Sequence, residues 1–281
     1  MKVVHHIDEV RESVKAWKKQ GLSVGFVPTM GYLHEGHQSL IKKAVEENDQ
    51  VVVSVFVNPM QFGPNEDLAN YPRNLEEDKA LCEATGASLL FNPSVEEMYT
   101  QGFSTYVDMS SLTSGLCGKS RSIHFRGVCT VVAKLFNIVQ PDRAYFGQKD
   151  AQQLIVIQHM VEDLNMAIEI IGCPIIRESD GLAKSSRNTY LSEKERKAAL
   201  VLNRSLQAGK KRLEEGEKQV ANLIHEMTQI IQEEPLAKID YVEIVDAKTL
   251  SDVDKVEKPV LVALAVYIGT TRLIDNFIFE G

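Results

Sequence analysis

Two histidines three residues apart, His34 and His37, close a glycine-bearing run, Pro28-Thr29-Met30-Gly31-Tyr32-Leu33-His34-Glu35-Gly36-His37. Imidazoles placed where a helix begins, beside backbone N–H groups and the positive end of the helix dipole, suit a phosphate. The run lacks the Gly-x-x-x-x-Gly-Lys-Ser/Thr pattern of a P-loop and the Gly-x-Gly-x-x-Gly pattern of a dinucleotide fold, so imidazole donors stand where the lysine would be. Taken alone, it fits an ordinary βα turn with two surface histidines equally well.

Three more groups carry chemistry. Lys149, in Gly147-Gln148-Lys149-Asp150, follows a short apolar strand and offers a cation for polyphosphate. Asp150 and Gln153 have the spacing of a helix cap, a role as fitting for Asp150 as ligand contact. Lys184-Ser185-Ser186-Arg187-Asn188 sets two hydroxyls between two cations, enough donors for phosphate oxygens or for a helix cap. The loop Asn58-Pro59-Met60-Gln61-Phe62-Gly63-Pro64-Asn65 offers the amides of Asn58 and Gln61, as substrate contacts or as turn closers. Lys119, Arg121, His124 and Arg126 concentrate positive charge that suits an anion or a carboxylate, although solvated loops commonly look the same.

These groups need a scaffold. Ile7, Val10, Val14 and Trp17 recur at helical spacing in 6–20. A strand over 23–27, ended by Pro28, then leads to a helix over 36–47 and the β-branched run 51–57, the pattern of a parallel strand covered on both faces. Strand, helix, strand makes a right-handed unit whose ligands sit at the carboxyl ends of the strands. The alternation continues through a helix over 74–85, a strand over 88–91, a helix over 128–139, a strand over 144–146, a helix to Leu164 and a strand over 167–171. Two long helices, 192–215 and 218–233, and three antiparallel strands, 240–245, 260–268 and 272–277, close the chain. The expected class is α/β: a Rossmann-like parallel sheet domain over 1–176, then a smaller α+β domain over 177–281.

Of 281 residues, 44% are hydrophobic and 25% charged, the profile of a globular protein with a sizeable core. A formal charge of −8 and a pI near 5.5 argue against nucleic acid or an anionic membrane as partner, so any anion site is local. Cys82, Cys117, Cys129 and Cys173 form no Cys-x-x-Cys pair, which speaks against structural zinc and for reduced thiols. With no apolar leader and no membrane-length apolar run, the expected location is the cytoplasm.

Together the His34 run, Phe146-Gly147-Gln148-Lys149-Asp150-x-Gln152-Gln153 and Lys184-Ser185-Ser186-Arg187-Asn188 closely resemble the pantothenate synthetases, the pantoate-beta-alanine ligase family. Asn58-Pro59-x-Gln61-Phe62 and Tyr71-Pro72-Arg73 extend the likeness in the same order along nearly the whole chain. The family belongs with the class I aminoacyl-tRNA synthetase-like nucleotidyltransferases, whose "HIGH" and "KMSKS" motifs correspond to His34–His37 and to Lys184–Arg187. One departure is Arg121-Ser122-Ile123-His124-Phe125 where the family commonly has Arg-Pro-Gly-His-Phe.

The resemblance implies ATP-dependent joining of pantoate and β-alanine through pantoyl adenylate, with release of pyrophosphate and AMP. It implies ATP contacts from Met30, Gly31, Tyr32, Leu33, His34, Glu35, Gly36, His37, Gly147, Gln148, Lys149, Asp150, Ile176, Lys184, Ser185, Ser186 and Arg187. Catalytic work falls to His34, His37, Lys149, Ser185, Ser186 and Arg187, with His37 as proton donor. Gln61 and Gln153 would bind pantoate, with Gln61 also bordering β-alanine. Mg²⁺ would arrive on ATP with no protein-fixed site; Asp78 reads chiefly as a helix-face charge. A homodimer and a lid formed by 177–281 complete the expectation. The rivals are an adenylyltransferase that stops at the adenylate, a nucleotide sensor, and a metal hydrolase, the last disfavoured because no His-Glu-x-x-His or third ligand is spaced for it.

Overall fold

The computed structural model describes residues 1–64 and 66–281; Asn65, the end of the loop after the second predicted strand, lies outside them. Two compact units result. The first gathers Met1–Met109, Arg121–Gln148 and Gln153–Pro174; the second gathers Ser110–Ser120, Lys149–Gln152 and Ile175–Gly281.

In the first unit, β1 (Lys2–Val4), α1 (Ile7–Lys19), β2 (Val24–Thr29), α2 (Glu35–Glu47), β3 (Gln50–Val55), α3 (Leu75–Thr85), β4 (Leu89–Phe91) and α4 (Val95–Met98) come in order. After α5 (Leu116–Ser120) of the second unit come α6 (His124–Val139), β5 (Arg143–Gly147), α7 (Ala151–Asp163) and β6 (Glu169–Cys173). The strands form one parallel sheet in the order β1-β4-β3-β2-β5-β6. Valines 51, 53 and 55 face a core shared with Leu40, Ile41 and Cys82, while Val52 and Ser54 on the other face are equally buried. Burial on both faces explains the unbroken apolar run.

Pro28 does not end β2, which runs on to Thr29. Ser23 and Thr29 give their carbonyls to β3, whereas Val24 accepts from Asp142, so even-numbered residues of β2 face β5. Pairing with β5 stops at Phe26↔Ala144, so the N–H that Pro28 lacks has no ladder partner to disappoint. β1 escaped sequence reading because three residues give no period to detect. Helix α6 begins at His124, four residues before the apolar repeat became visible.

In the second unit, α8 (Glu193–Ala198) and α9 (Leu200–Glu214) divide what reads as one long helix, with Ala199 between them. Ser192 and Glu195 form the expected capping box. α10 (Val220–Gln232) precedes the antiparallel sheet β7 (Ala237–Asp246), β8 (Val260–Ile268) and β9 (Thr271–Phe279). Leu202, Leu206, Leu223 and Met227 pack with Val262 and Leu264 in this unit's core.

Candidate active site

Strand β2 continues to β3 on one side, while β5 and β6 extend the sheet on the other. The sheet therefore changes direction between β2 and β5, where parallel α/β sheets place ligands outside the carboxyl ends. The stretches following β3, β2 and β5 start at these neighbouring ends, at Phe56, Met30 and Gln148.

After β2 the chain turns through two left-handed residues, Gly31 (φ +85°) and Tyr32 (φ +52°). A Cβ on Gly31 would lie 2.8 Å from Val55 Cγ1 and 2.9 Å from Asp78 Oδ2, so glycine is needed for space as well as for φ. His34 then caps α2. Its Nδ1 accepts the N–H of Gly36 at 3.1 Å, and Nδ1 of His37 accepts the N–H of His34 at 3.3 Å. Two histidines thus form a reciprocal capping box, their rings 4.2 Å apart. Two N–H groups that the sequence left available to phosphate are in fact taken by the imidazoles. The consequence is chemical: because each Nδ1 accepts from an N–H, each neutral ring carries its proton on Nε2.

Asp78 is not the helix-face charge expected of it. It is 2% exposed, and its carboxylate accepts the N–H of Tyr32 at 2.9 Å and of Leu33 at 2.6 Å. Burial raises its pKa, and the two backbone bonds oppose that rise. The clue was its place on the buried stripe with Cys82 of α3.

After β3, the 3₁₀ turn Pro59–Gln61 brings Gln61 Nε2 to 3.1 Å from Met30 Sδ. Asn58, 1% exposed, has its side chain fully engaged within the protein. Its Nδ2 donates to Gln61 Oε1 and to the carbonyl of Gly127, and its Oδ1 accepts from Met60 N–H and Tyr99 OH. Asn58 therefore positions Gln61, and Tyr99, absent from the sequence candidates, holds Asn58. The main-chain oxygen of Gln61 accepts from Nδ1 of buried His124 at 3.0 Å, so that ring bears its proton on Nδ1.

Arg121 grips Glu66 through two 2.7 Å bonds, so the carboxylate its loop suits is one of its own unit. Burial would raise the pKa of Glu66, but this guanidinium holds it below the usual range. Ile123 is 45% exposed with φ −99°, ordinary backbone that requires no glycine at the departure from the family pattern. Gln148 begins the turn after β5, and Gln153 is half-buried in the first turn of α7.

The second unit contains the remaining cations. Lys149 Nζ lies 3.8 Å from Asp150, which sits in the 3₁₀ turn Gln148–Asp150 before α7. The Lys149 carbonyl accepts from Asn276 at 2.8 Å. Gln152 ties Cys117, Leu112 and Gly115 together through its amide, a part its motif did not announce. Residues 176–184 form a small hairpin in which Lys184 N–H donates to Ile176 and the turn passes through Gly181 (φ +96°). Arg177 clamps its base to Asp275 with bonds of 2.7 and 2.9 Å, and Arg196 ties Glu178 and Asp180. Ser185 Oγ accepts the N–H of Arg187 at 3.3 Å, capping the turn Ser186–Tyr190. Ser185 thus caps this 3₁₀ turn, while the helix that follows is capped by Ser192, and the bond fixes where the Lys184–Arg187 backbone starts to turn.

A model of the pantoate-beta-alanine ligase family matches residues 2–278. The chain belongs to that family. A pantothenate synthetase of Ruminiclostridium cellulolyticum is 63% identical over 279 residues, 99% of each chain. One from Enterococcus faecalis is 62% identical over 280 residues, covering 100% of this chain and 99% of the relative. Among solved structures, pantothenate synthetase from Thermus thermophilus superposes with a TM-score of 0.93 at 46% identity, covering 99% of both chains. The Francisella tularensis pantoate-beta-alanine ligase, complexed with beta-gamma ATP and beta-alanine, gives 0.81 at 36% identity, covering 99% of this chain and 97% of that one.

Proposed function

We propose that this protein condenses pantoate with β-alanine at the expense of ATP, as a ligase that forms an amide bond in the biosynthesis of pantothenate and coenzyme A. The observation that carries this reading is the end-to-end match to the family, with relatives 62–63% identical over almost the full length. In the first half-reaction a pantoate carboxylate oxygen attacks the α-phosphorus of ATP, the bond to the bridging oxygen breaks, and pyrophosphate leaves with the electron pair. No base is needed, since a carboxylate is ionised at neutral pH. In the second, the amine of β-alanine attacks the acyl carbon, loses a proton and expels AMP.

Within this proposal the catalytic assignments follow the chemistry of the side chains. Attack on a polyanion gains most from donors and cations that strengthen as charge moves to the leaving pyrophosphate. His34 and His37, protonated at Nε2, supply N–H donors, with His37 as proton donor; the tautomer imposed by the capping box supports this. Lys149, Ser185, Ser186 and Arg187 supply the rest, and the motif resemblance supports them. ATP contacts are assigned to Met30 through His37, Gly147 through Asp150, Ile176 and Lys184 through Arg187. Gln61 and Gln153 hold pantoate, and Gln61 borders β-alanine; an amide both donates and accepts, which suits a hydroxy acid.

Mg²⁺ enters as the ion carried by ATP, neutralising phosphate oxygens, with those oxygens and water as its ligands. The Asp78 oxygens each accept a backbone N–H, and among the described residues no three His, Cys, Asp or Glu are grouped to hold a metal. The same proposal includes a cytoplasmic location, supported by four buried free thiols, a homodimer, supported by the resemblance, and a lid role for 177–281. No helix among the described residues is long and apolar enough to cross a membrane.

Product analysis tests the reading. With ATP, Mg²⁺ and pantoate, adding β-alanine should yield AMP and pantothenate in equal amounts. ATP turnover indifferent to β-alanine would point instead to an adenylyltransferase that stops at the adenylate.

A further inference from the structure

Asp78 is a buried anion with no cation at salt-bridge distance among the described residues; its partners are two backbone N–H groups of one turn. That turn is itself unfavourable. Gly31 and Tyr32 both have positive φ, which for a tyrosine is a conformation the surroundings must impose. Thr29 Oγ1 accepts the N–H of Gly31 at 3.1 Å while donating to the carbonyl of Ser54 at 2.7 Å, so three successive N–H groups of the turn are all held by side chains. One residue beyond Leu33 stands His34, whose ring and backbone make both halves of the capping box.

We infer that Asp78 is a positioning residue for adenylation: its carboxylate holds the Gly31–Leu33 backbone, and through it aims the His34 and His37 rings. The inference depends on the adenylation reading above. A carboxylate is the side chain for the task, because both its oxygens accept and charge-assisted bonds to N–H groups are the stronger ones. An amide of the same shape cannot replace it. Asparagine can accept one N–H, but its own NH₂ then meets the other, donor against donor. One of the two bonds that hold the turn before His34 is thereby lost, while the volume of the buried site is preserved.

The effect should appear in the rate and not in pantoate affinity, since the rings act on phosphate whereas Gln61 selects the acid. In Asp78→Asn the maximal rate of pantoate-dependent pyrophosphate exchange should fall by about 10²-fold, the scale of an ångström misplacement of catalytic groups. KM for pantoate should hold, and the melting temperature should show a folded protein. Amide proton resonances of Tyr32 and Leu33, shifted downfield by the carboxylate, should move upfield. If those resonances move and the exchange rate does not, the positioning role is overturned and Asp78 is only a structural clamp. If the resonances stay, the clamp itself is wrong. Should Asp78→Asn fail to fold, Asp78→Glu keeps the anion and displaces it by one methylene. It is expected to slow exchange with pantoate KM unchanged, and an undiminished rate with altered amide shifts would overturn the role. Wild-type protein without any exchange would defeat the adenylation reading, while the amide shifts would still report on the clamp.

Discussion

Gly127 offers a test in which the structure sets the magnitude. It lies in the first turn of α6, and a Cβ there would stand 2.5 Å from Gln61 Cα and from the carbonyl carbon of Met60, and would also strike the Met60 oxygen. All three atoms are backbone, so no rotamer change relieves the clash. Restoring an ordinary contact near 3.4 Å requires α6 and the 59–61 turn to separate by about 0.9 Å, the difference between 3.4 and 2.5. Overpacking of this kind costs about 1–3 kcal/mol, partly offset by the ~1 kcal/mol by which alanine is the better helix former. A modest fall in melting temperature is therefore expected. The catalytic effect should be larger. The separation would stretch the bonds from Asn58 Nδ2 to the Gly127 carbonyl and from His124 to the Gln61 carbonyl, which set the amide of Gln61. A displacement near an ångström typically costs ~10²-fold in rate, so kcat/KM for pantoate in Gly127→Ala should drop by that order while KM for ATP holds. Steady-state exchange kinetics at varied pantoate and varied ATP measure both. A folded variant with wild-type pantoate kinetics would refute the claim that Gln61, set by this contact, chooses the acid.

Other consequences separate structural from chemical roles. His34→Asn supplies an amide oxygen to cap α2, and His37→Gln restores the usual acceptor three residues on, so both should melt near wild type; adenylation should fall by roughly 10²-fold in each, and undiminished exchange would leave the rings as caps only. Lys149→Ala should slow single-turnover adenylation by ~10²-fold or more, and an unchanged rate would remove it from phosphate stabilisation. Asp246 is held well below the usual carboxylate range, first by Lys258 at 2.7 Å and then by the N–H groups of Thr249 and Lys248. A depressed folded pKa contributes stability above the unfolded value of about 3.9, and that contribution is lost as pH falls through and below it. Asp246→Asn should therefore lower stability at neutral pH and flatten the acid limb of the denaturation profile; an acid limb like wild type would contradict the assignment.

Strong local periodicity made most of the scaffold legible. The valine run at β3, the amphipathic α6 and the Ser192 capping box each announced an element through residue type and spacing, although the break at Ala199 gave no such signal. What escaped were features set by distant partners. β1 exists because β4 pairs with it, Pro28 stays in β2 because β5 has already diverged, and residues 110–120 belong to the second unit through Gln152, Tyr241 and Glu243. The site divides the same way. Histidine spacing pointed to a helix start, but gave no sign that the rings take the backbone N–H groups themselves. Asn58 read as either substrate contact or turn closer; one of its four bonds closes the turn at Met60, and two reach Gly127 and Tyr99, partners no spacing announces. Asp78 had its signal, a charge on an apolar stripe, which matters more than exposed acidity.

The central claim is attack by pantoate oxygen on the α-phosphorus, and isotope transfer tests it most directly. Pantoate labelled with ¹⁸O in its carboxylate should, with ATP and β-alanine, deliver one ¹⁸O to the phosphate of AMP and none to pyrophosphate. Label in pyrophosphate or inorganic phosphate, or unlabelled AMP beside newly formed pantothenate, would contradict the account.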